Sequence, residues 1–85
     1  MAEEKEVGKV THYFSKIGVG VIKLTGVLAV GDNIHIKGAT TDFQQSIESM
    51  QIEHEKVEKA KKGQSIGLKT SEPVREHDVV YVVKE

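Results

Sequence analysis

From Val7 onward, the apolar residues of the chain are mostly β-branched and occur in short runs that glycines interrupt. Runs of this kind, in which apolar and polar positions alternate, predict β-strands of about five residues rather than helices. The predicted strands cover residues 7–14, 20–27, 33–37, 43–53, 65–69 and 79–83. In the third strand, Ile34 and Ile36 are expected to face one side and His35 the other. The pattern therefore predicts an all-β protein.

Residues 43–62 carry two competing patterns. The stretch is rich in helix formers, and its apolar residues recur near the spacing of one helix face. Against a helix, Met50 and Ile52 alternate with polar residues, as they would in a half-buried strand. We favour the strand, with a bulge near Glu48 or Ser49 where the phase changes, and we predict a turn over residues 57–62.

Six or seven short strands in a chain of this length favour a small closed antiparallel β-barrel. The length suits one domain, which we assign to residues 7–85. Residues 1–6, MAEEKE, hold three glutamates and one lysine and have almost no apolar content. Because such a segment cannot bury enough surface to offset its ordering entropy, we predict a disordered acidic leader there.

Composition excludes several classes of protein. The formal net charge of −1 argues against a surface that attracts nucleic acid over its whole extent. The 85 residues include no cysteine, which removes disulfides and thiolate metal sites and fits a reducing compartment. The longest apolar run, residues 79–83, is too short to cross a bilayer, and the first residues lack the apolar core of a signal peptide. We therefore predict a cytoplasmic protein without membrane contact.

No motif for catalysis, metal binding or nucleotide binding is found in the sequence. It has no G-x-x-x-x-G-K-[ST] loop, its four histidines lack the i, i+4 spacing of a zinc site, and no serine lies in G-x-S-x-G. Glu53, His54 and Glu55 are adjacent, so on a strand they would point to alternate faces and could not converge on a substrate. We predict a non-catalytic protein with no metal, nucleotide or other cofactor.

Five glycines are predicted to have structural roles. Gly18 and Gly20 flank a single valine and suit a tight turn or bulge at a barrel corner. Gly31 suits a hairpin, and Gly63 ends a lysine-rich turn. Gly67 lies inside a short apolar strand, which indicates a bend or the close approach of another backbone.

The segments HYFSKIGVGVIKLTGVLAVGDNIHIKG, SIESM and EKAKKGQSIGLK place these features in a particular order. The order and spacing resemble the barrel domain that translational GTPases, such as elongation factor Tu, carry as their second domain. The matching positions are Phe14, Ser15, Gly18, Gly20, Gly26, Gly31, Asp32, Ile47, Met50, Ala60, Gly63, Ile66 and Gly67. The resemblance covers roughly residues 7–83, which is nearly the entire predicted folded part, and implies the same type of barrel.

The resemblance implies binding rather than catalysis. In that family the domain contacts ribosomal RNA and, in some members, the aminoacyl end of tRNA. The leading prediction is therefore a translation-factor-like module that binds RNA or a ribonucleoprotein. By the same resemblance, residues 47–51 correspond to the region near the aminoacyl-end pocket of elongation factor Tu. Glu48 matches there in type, which makes it a candidate partner-binding residue.

The densest basic feature consists of Lys56, Lys59, Lys61 and Lys62. Such a cluster can contact phosphates, and we take the four lysines as candidate RNA-binding residues. The alternative is a solvated turn whose lysines are balanced by neighbouring glutamates. Tyr13 is the candidate surface for base stacking, because it should face opposite to the following phenylalanine, which we assign to the core.

A second class of function stays open beside RNA binding. Similar barrels are appended to unrelated enzymes, including some collagenase-like peptidases, so a protein-interaction or accessory domain with no nucleic-acid role is the alternative. Its partner would be another protein. An enzyme in its own right is disfavoured, because no catalytic groups converge.

Overall fold

The computed structural model describes residues 3–53 and 55–84, and these residues form ten β-strands. The strands are β1 (Glu3–Phe14), β2 (Val19–Leu24), β3 (Leu28–Ala29), β4 (Asn33–Lys37), β5 (Asp42–Ser46), β6 (Met50–Ile52), β7 (Glu55–Val57), β8 (Lys59–Ala60), β9 (Ser65–Lys69) and β10 (Val79–Lys84). The bounds of β4 and β9 are those that the alternation of apolar and polar residues predicts. β3, β7 and β8 are too short to show a periodicity.

All strand pairs are antiparallel, and the predicted all-β class is confirmed. Eight strands form one sheet in the order β5-β4-β10-β1-β2-β9-β6-β7, and β3 pairs with β8 in a second sheet. The first and last strands in sequence, β1 and β10, are therefore neighbours inside the large sheet. In the part of the chain that the structure describes, no helix is long and apolar enough to cross a membrane.

The predicted closed barrel is not found. The large sheet ends in two edge strands, β5 and β7, and residues 3–53 and 55–84 contain no pairing between them. The strand predicted over residues 43–53 is interrupted, because residues 47–49, which connect β5 to β6, belong to neither strand. β5 then pairs with β4, whereas β6 pairs with β7 and β9. The described part of residues 43–62 contains no helix, so the strand interpretation holds in a broken form.

β1 begins at Glu3, which corrects the predicted leader for residues 3–6. These residues pair with residues 81–84 of β10, and their side chains are exposed apart from contacts made by the Glu4 carboxylate. Main-chain pairing therefore orders the segment without burial of apolar surface, which is why its composition does not reveal the strand. Residues 1, 2 and 85 lie outside the described residues.

The core is built mainly from strand positions of the large sheet, with Leu28 and Ala60 from the small sheet and Ile47 and Val74 from connecting segments. The buried apolar residues are Val7, Val10, Ile22, Leu24, Leu28, Ile34, Ile36, Phe43, Ile47, Met50, Ala60, Ile66, Leu68, Val74, Val80 and Val82. Full burial of one such large aliphatic side chain is worth about 1.5–3 kcal/mol relative to its exposed state. In a domain this small, nearly every strand has to contribute, and β1, β2, β4, β5, β6, β9 and β10 all do.

A bulge in β1 reverses the predicted orientation of two aromatic residues. The register between β1 and β2 shifts between Val10 and His12, so the inward and outward positions exchange beyond that point. As a result Tyr13 is half-buried and packs against the core, whereas Phe14 is 46% exposed. The assignment of Phe14 to the core is therefore wrong.

The five glycines expected to be structural occupy two kinds of position. Gly18, Gly31 and Gly63 have φ angles of 66°, 96° and 91°, a region that L side chains rarely adopt. Gly20 and Gly67 instead lie within β2 and β9. A Cβ atom at Gly20 would come within 3.1 Å of a buried valine side chain, and one at Gly67 would make only ordinary contacts.

Candidate functional site

A cluster of polar side chains lies on the outer face of four adjacent strands, β5, β4, β10 and β1. It consists of Glu4, His35, Lys37, Asp42 and Tyr81, and we call it the His35 cluster. The central residue, His35, is only 8% exposed, although the flanking isoleucines of β4 point to the opposite face and into the core. The carboxylates of Glu4 and Asp42 are hydrogen-bonded to its two ring nitrogens.

The hydrogen bonds of this cluster require a doubly protonated histidine. His35 donates from Nδ1 to Glu4 Oε2 at 2.8 Å and from Nε2 to Asp42 Oδ1. Ionised carboxylates can only accept, so both ring nitrogens must carry a proton to satisfy both partners. Lys37 Nζ lies 3.2 Å from Glu4 Oε1 and 5.4 Å from the centroid of the Tyr81 ring.

These contacts favour the charged forms of His35, Asp42 and Glu4. The hydrogen bond to Asp42, followed by that to Glu4, raises the pKa of His35. The hydrogen bond from His35 lowers the pKa of Asp42 and is also the main reason that the pKa of Glu4 is lowered, with a smaller contribution from Lys37. Desolvation opposes each shift, and the hydrogen bonds outweigh it.

The geometry of the cluster is better suited to holding strands together than to catalysis or metal binding. Both ring nitrogens of His35 are already engaged, so neither is available as a general base. Glu4 and Asp42 bind opposite sides of the ring and cannot share a metal ion with it, and residues 3–53 and 55–84 hold no group of three metal-ligating side chains. The cluster instead connects β1 to β5 across the two strands between them.

A polar groove with a volume of about 370 Å³ lies where β5 and β9 end. The β5–β9 groove is lined by Gln45, Ser46, Glu48, Ser49, Lys69, Thr70 and Ser71. The Gln45 side chain spans it, donating from Nε2 to the carbonyl oxygen of Lys69 at 2.9 Å and accepting at Oε1 from the amide of Ser71 at 2.7 Å. The chain that follows β9 is thus held at the distance from β5 that the Gln45 side chain spans. Glu48, a predicted binding residue, is exposed in this groove.

The other predicted binding residues lie elsewhere. Lys56 is on β7, Lys59 is on β8, and Lys61 and Lys62 follow in the next turn, all with exposed side chains. None of them lines the β5–β9 groove. Tyr13 lines a separate hollow of about 270 Å³ at the β1–β2 hairpin. The structure therefore does not gather the predicted residues into one site.

The sequence contains no local signal for the two most specific arrangements. His35 is 31 positions from Glu4 and seven from Asp42, so only strand pairing brings the three side chains together. Gln45 meets the backbone of Lys69 and Ser71 across 24 and 26 positions. The predicted outward orientation of His35 was the one available clue. His54 lies outside the described residues.

Comparisons with known proteins point to peptidases. No family model matches the chain. The chain is 44% identical over 81 residues to an uncharacterized protease of Methanocaldococcus jannaschii, a match that covers 94% of this chain and 20% of that protein. It is 43% identical over 77 residues to a collagenase of Porphyromonas gingivalis, which covers 88% of this chain and 21% of the collagenase. The chain thus spans about a fifth of the length of the curated relatives that it matches.

The fold is also similar to that of a peptidase domain of known structure. The chain is similar to the C-terminal domain of a U32 peptidase from Geobacillus thermoleovorans, with a TM-score of 0.86 and 20% sequence identity. The similarity covers 89% of this chain and 96% of that domain. At this level of identity the comparison establishes a shared fold.

These findings correct the functional predictions. The predicted relation to translational GTPases is wrong, because the similar sequences are a protease and a collagenase and the similar fold is a U32 peptidase domain. The predicted translation-factor-like role in RNA binding is wrong for the same reason. The assignment to a non-enzymatic class is also contradicted by the names of these relatives. Glycine-marked turns and short β-branched strands describe how a small sheet is built, and they do not identify its partner.

Proposed function

We propose that this chain is a peptidase module, equivalent to the C-terminal domain of U32 peptidases, and that it handles polypeptide together with the catalytic part of such an enzyme. The observation that carries the proposal is the 44% identity that extends over 94% of the chain. A match of that extent includes the connecting loops as well as the strands. The fold shared with the U32 domain supports the same assignment.

The relatives are much longer than this chain, so cleavage of a peptide bond would be a property of the complete peptidase. In this proposal the module supplies a rigid sheet with accessible protein-binding surfaces. The His35 cluster ties four strands together, and the β5–β9 groove and the β1–β2 hairpin are open to contact. A formal charge of −1 also suits a polypeptide partner better than a polyanion.

A domain replacement tests the proposal. The segment of the Porphyromonas gingivalis collagenase that matches this chain would be deleted or replaced by the chain, and collagen hydrolysis would be measured for each protein. We expect the deletion to lower hydrolysis and the replacement to restore most of it. The matched control carries an unrelated β-domain of similar length at the same position. A chimaera no more active than this control, with both proteins folded by circular dichroism, contradicts the proposal.

Other features remain predictions within this proposal. They are the organisation of the chain as one domain and the cytoplasmic location. The partner contacts predicted for Tyr13, Glu48 and the lysines of residues 56–62 also stay predictions, and in this proposal their partner is a protein.

A further inference from the structure

β5 is an edge strand with a regular ladder on one side only. In residues 3–53 and 55–84 it pairs with β4 and with no other strand. Two main-chain hydrogen bonds bracket that ladder: Gly38 N donates to Thr41 O at 2.6 Å, and Ile47 N donates to Asp32 O at 2.9 Å. These two bonds fix which residues of β5 direct their main-chain groups toward β4.

Hydrogen-bonded pairs alternate along an antiparallel ladder. Continuing the alternation from the bracketing bonds, Phe43 and Gln45 direct their N–H and C=O groups to β4. Asp42, Gln44 and Ser46 direct theirs to the free edge. The side chains of these three residues are exposed, so the edge is accessible.

The composition of β5 does little to protect this edge. Edge strands are commonly guarded by lysine, proline, a bulge or a very short length. β5 reads Asp-Phe-Gln-Gln-Ser, and its one charge, on Asp42, is engaged by His35. The opposite edge, β7, is only three residues long and carries Glu55 and Lys56. The sheet therefore has one guarded edge and one open edge.

The open edge borders the β5–β9 groove. Across the groove, the Lys69 carbonyl and the Ser71 amide are satisfied by the side-chain amide of Gln45. That amide supplies one acceptor and one donor, as a peptide group does, and it stands where a further strand would supply its own. Glu48 and Lys69 place opposite charges in the groove, and its other lining groups are hydroxyls and an amide.

We infer that the β5–β9 groove binds an extended polypeptide segment, which adds to β5 as a further strand. Main-chain hydrogen bonds to Gln44 and Ser46 hold it, as in other cases of strand addition to a sheet edge. The polar lining, with one carboxylate and one ammonium group, selects a segment with small or polar side chains and no net charge. The inference rests on the proposed function, because it makes this segment part of the polypeptide that the peptidase handles.

A titration of the full chain labelled with nitrogen-15 tests the inference. The probe is a blocked hexapeptide that alternates threonine and glutamine, and the control is the same peptide with every backbone nitrogen methylated. We expect the unmodified peptide to shift the amide resonances of Gln44 and Ser46 and to slow their hydrogen exchange. The methylated peptide keeps the side chains but cannot form the ladder, and it should not bind.

A pair of variants isolates the main-chain contact. Gln44→Pro removes an N–H that points to the free edge, where proline is tolerated, and Gln44→Thr keeps that N–H. Loss of one such hydrogen bond should weaken binding about tenfold in the proline variant, whereas the threonine variant should bind as the parent does. If the proline variant does not fold, the methylated peptide still tests the ladder.

Three results would overturn the inference: no binding at millimolar peptide, equal binding of the methylated peptide, or shifts confined to residues away from β5 and the groove. Self-association of the chain through β5, seen as a concentration-dependent size that Gln44→Pro abolishes, would assign the edge to a second copy instead. The collagenase chimaera separates this inference from the proposed function. A chimaera that hydrolyses collagen equally well with or without Gln44→Pro rejects the strand site and retains the module.

Discussion

At His35, a buried side chain on the outer face of a sheet is hydrogen-bonded to two carboxylates. The imidazolium is the form that satisfies both Glu4 and Asp42, so the native state favours a proton on the ring and none on the carboxylates. Stability then depends on pH in both directions. Stability is lost at low pH, where Glu4 and Asp42 gain protons, and at high pH, where His35 loses one, because the pKa values of the carboxyl groups are lowered and that of His35 is raised.

Replacement of His35 by glutamine should reduce stability most in mildly acidic solution. The raised pKa of His35 contributes stability that is complete below its ordinary value and is lost as pH rises through the folded-state value. The lowered pKa values of Glu4 and Asp42 contribute stability that is lost as pH falls through their folded-state values. The difference between parent and variant should therefore be largest between about pH 4.5 and 6.5.

Urea unfolding of both proteins from pH 3 to pH 9 measures that difference. His12→Gln makes the same chemical change at a histidine whose side chain is 53% exposed, and it should cost little at any pH. A His35→Gln cost that does not vary with pH would show that the ring acts through packing alone.

At the scale of the strand, the sequence predicts elements whose apolar residues alternate without interruption, as in β4 and β9. It fails where pairing decides the structure. Residues 3–6 join β1 because they pair with β10. Residues 47–49 interrupt the predicted strand because β5 and β6, on either side of them, pair with different strands. The candidate site follows the same rule: the outward orientation of His35 could be predicted, but its partners depend on strand order.

Deletion of residues 1–6 should destabilise the protein, contrary to what an acidic leader would do. The deletion removes four residue pairs of the ladder with β10 and the contacts of Glu4 with His35 and Lys37. With net values of about 0.5–1.5 kcal/mol for each hydrogen bond, a loss of about 2 kcal/mol is expected after the exposed segment's ordering entropy is regained. Urea titration at pH 6 gives the difference, with Glu3→Gln as a control at an exposed side chain of the same strand. An unchanged midpoint for the truncated chain would return residues 3–6 to the status of a leader.

At the scale of the molecule, the first and last strands are adjacent, and Glu3 lies directly opposite Lys84. The core strands pair with partners that are mostly distant in sequence, an arrangement that folds in milliseconds to seconds rather than microseconds. Because Glu3 and Lys84 are paired, both ends of the described chain lie at one place on the sheet. A module of this form can be joined to a longer protein without strain on its own strands.

Circular permutation tests this arrangement directly. Opposed residues of an antiparallel pair have Cα atoms about 4.5–5.5 Å apart, so a two-residue glycine-rich turn can connect residue 84 to residue 3. New ends placed between Ala39 and Thr40 fall in the exposed connection of β4 to β5 and interrupt no strand. We expect this permutant to keep the circular dichroism spectrum and the cooperative unfolding of the parent. New ends between Val80 and Tyr81 cut β10, which pairs on both sides with β1 and β4, and should prevent folding. Equal behaviour of the two permutants would mean that the paired ends and the continuity of β10 do not organise the fold as the strand order indicates.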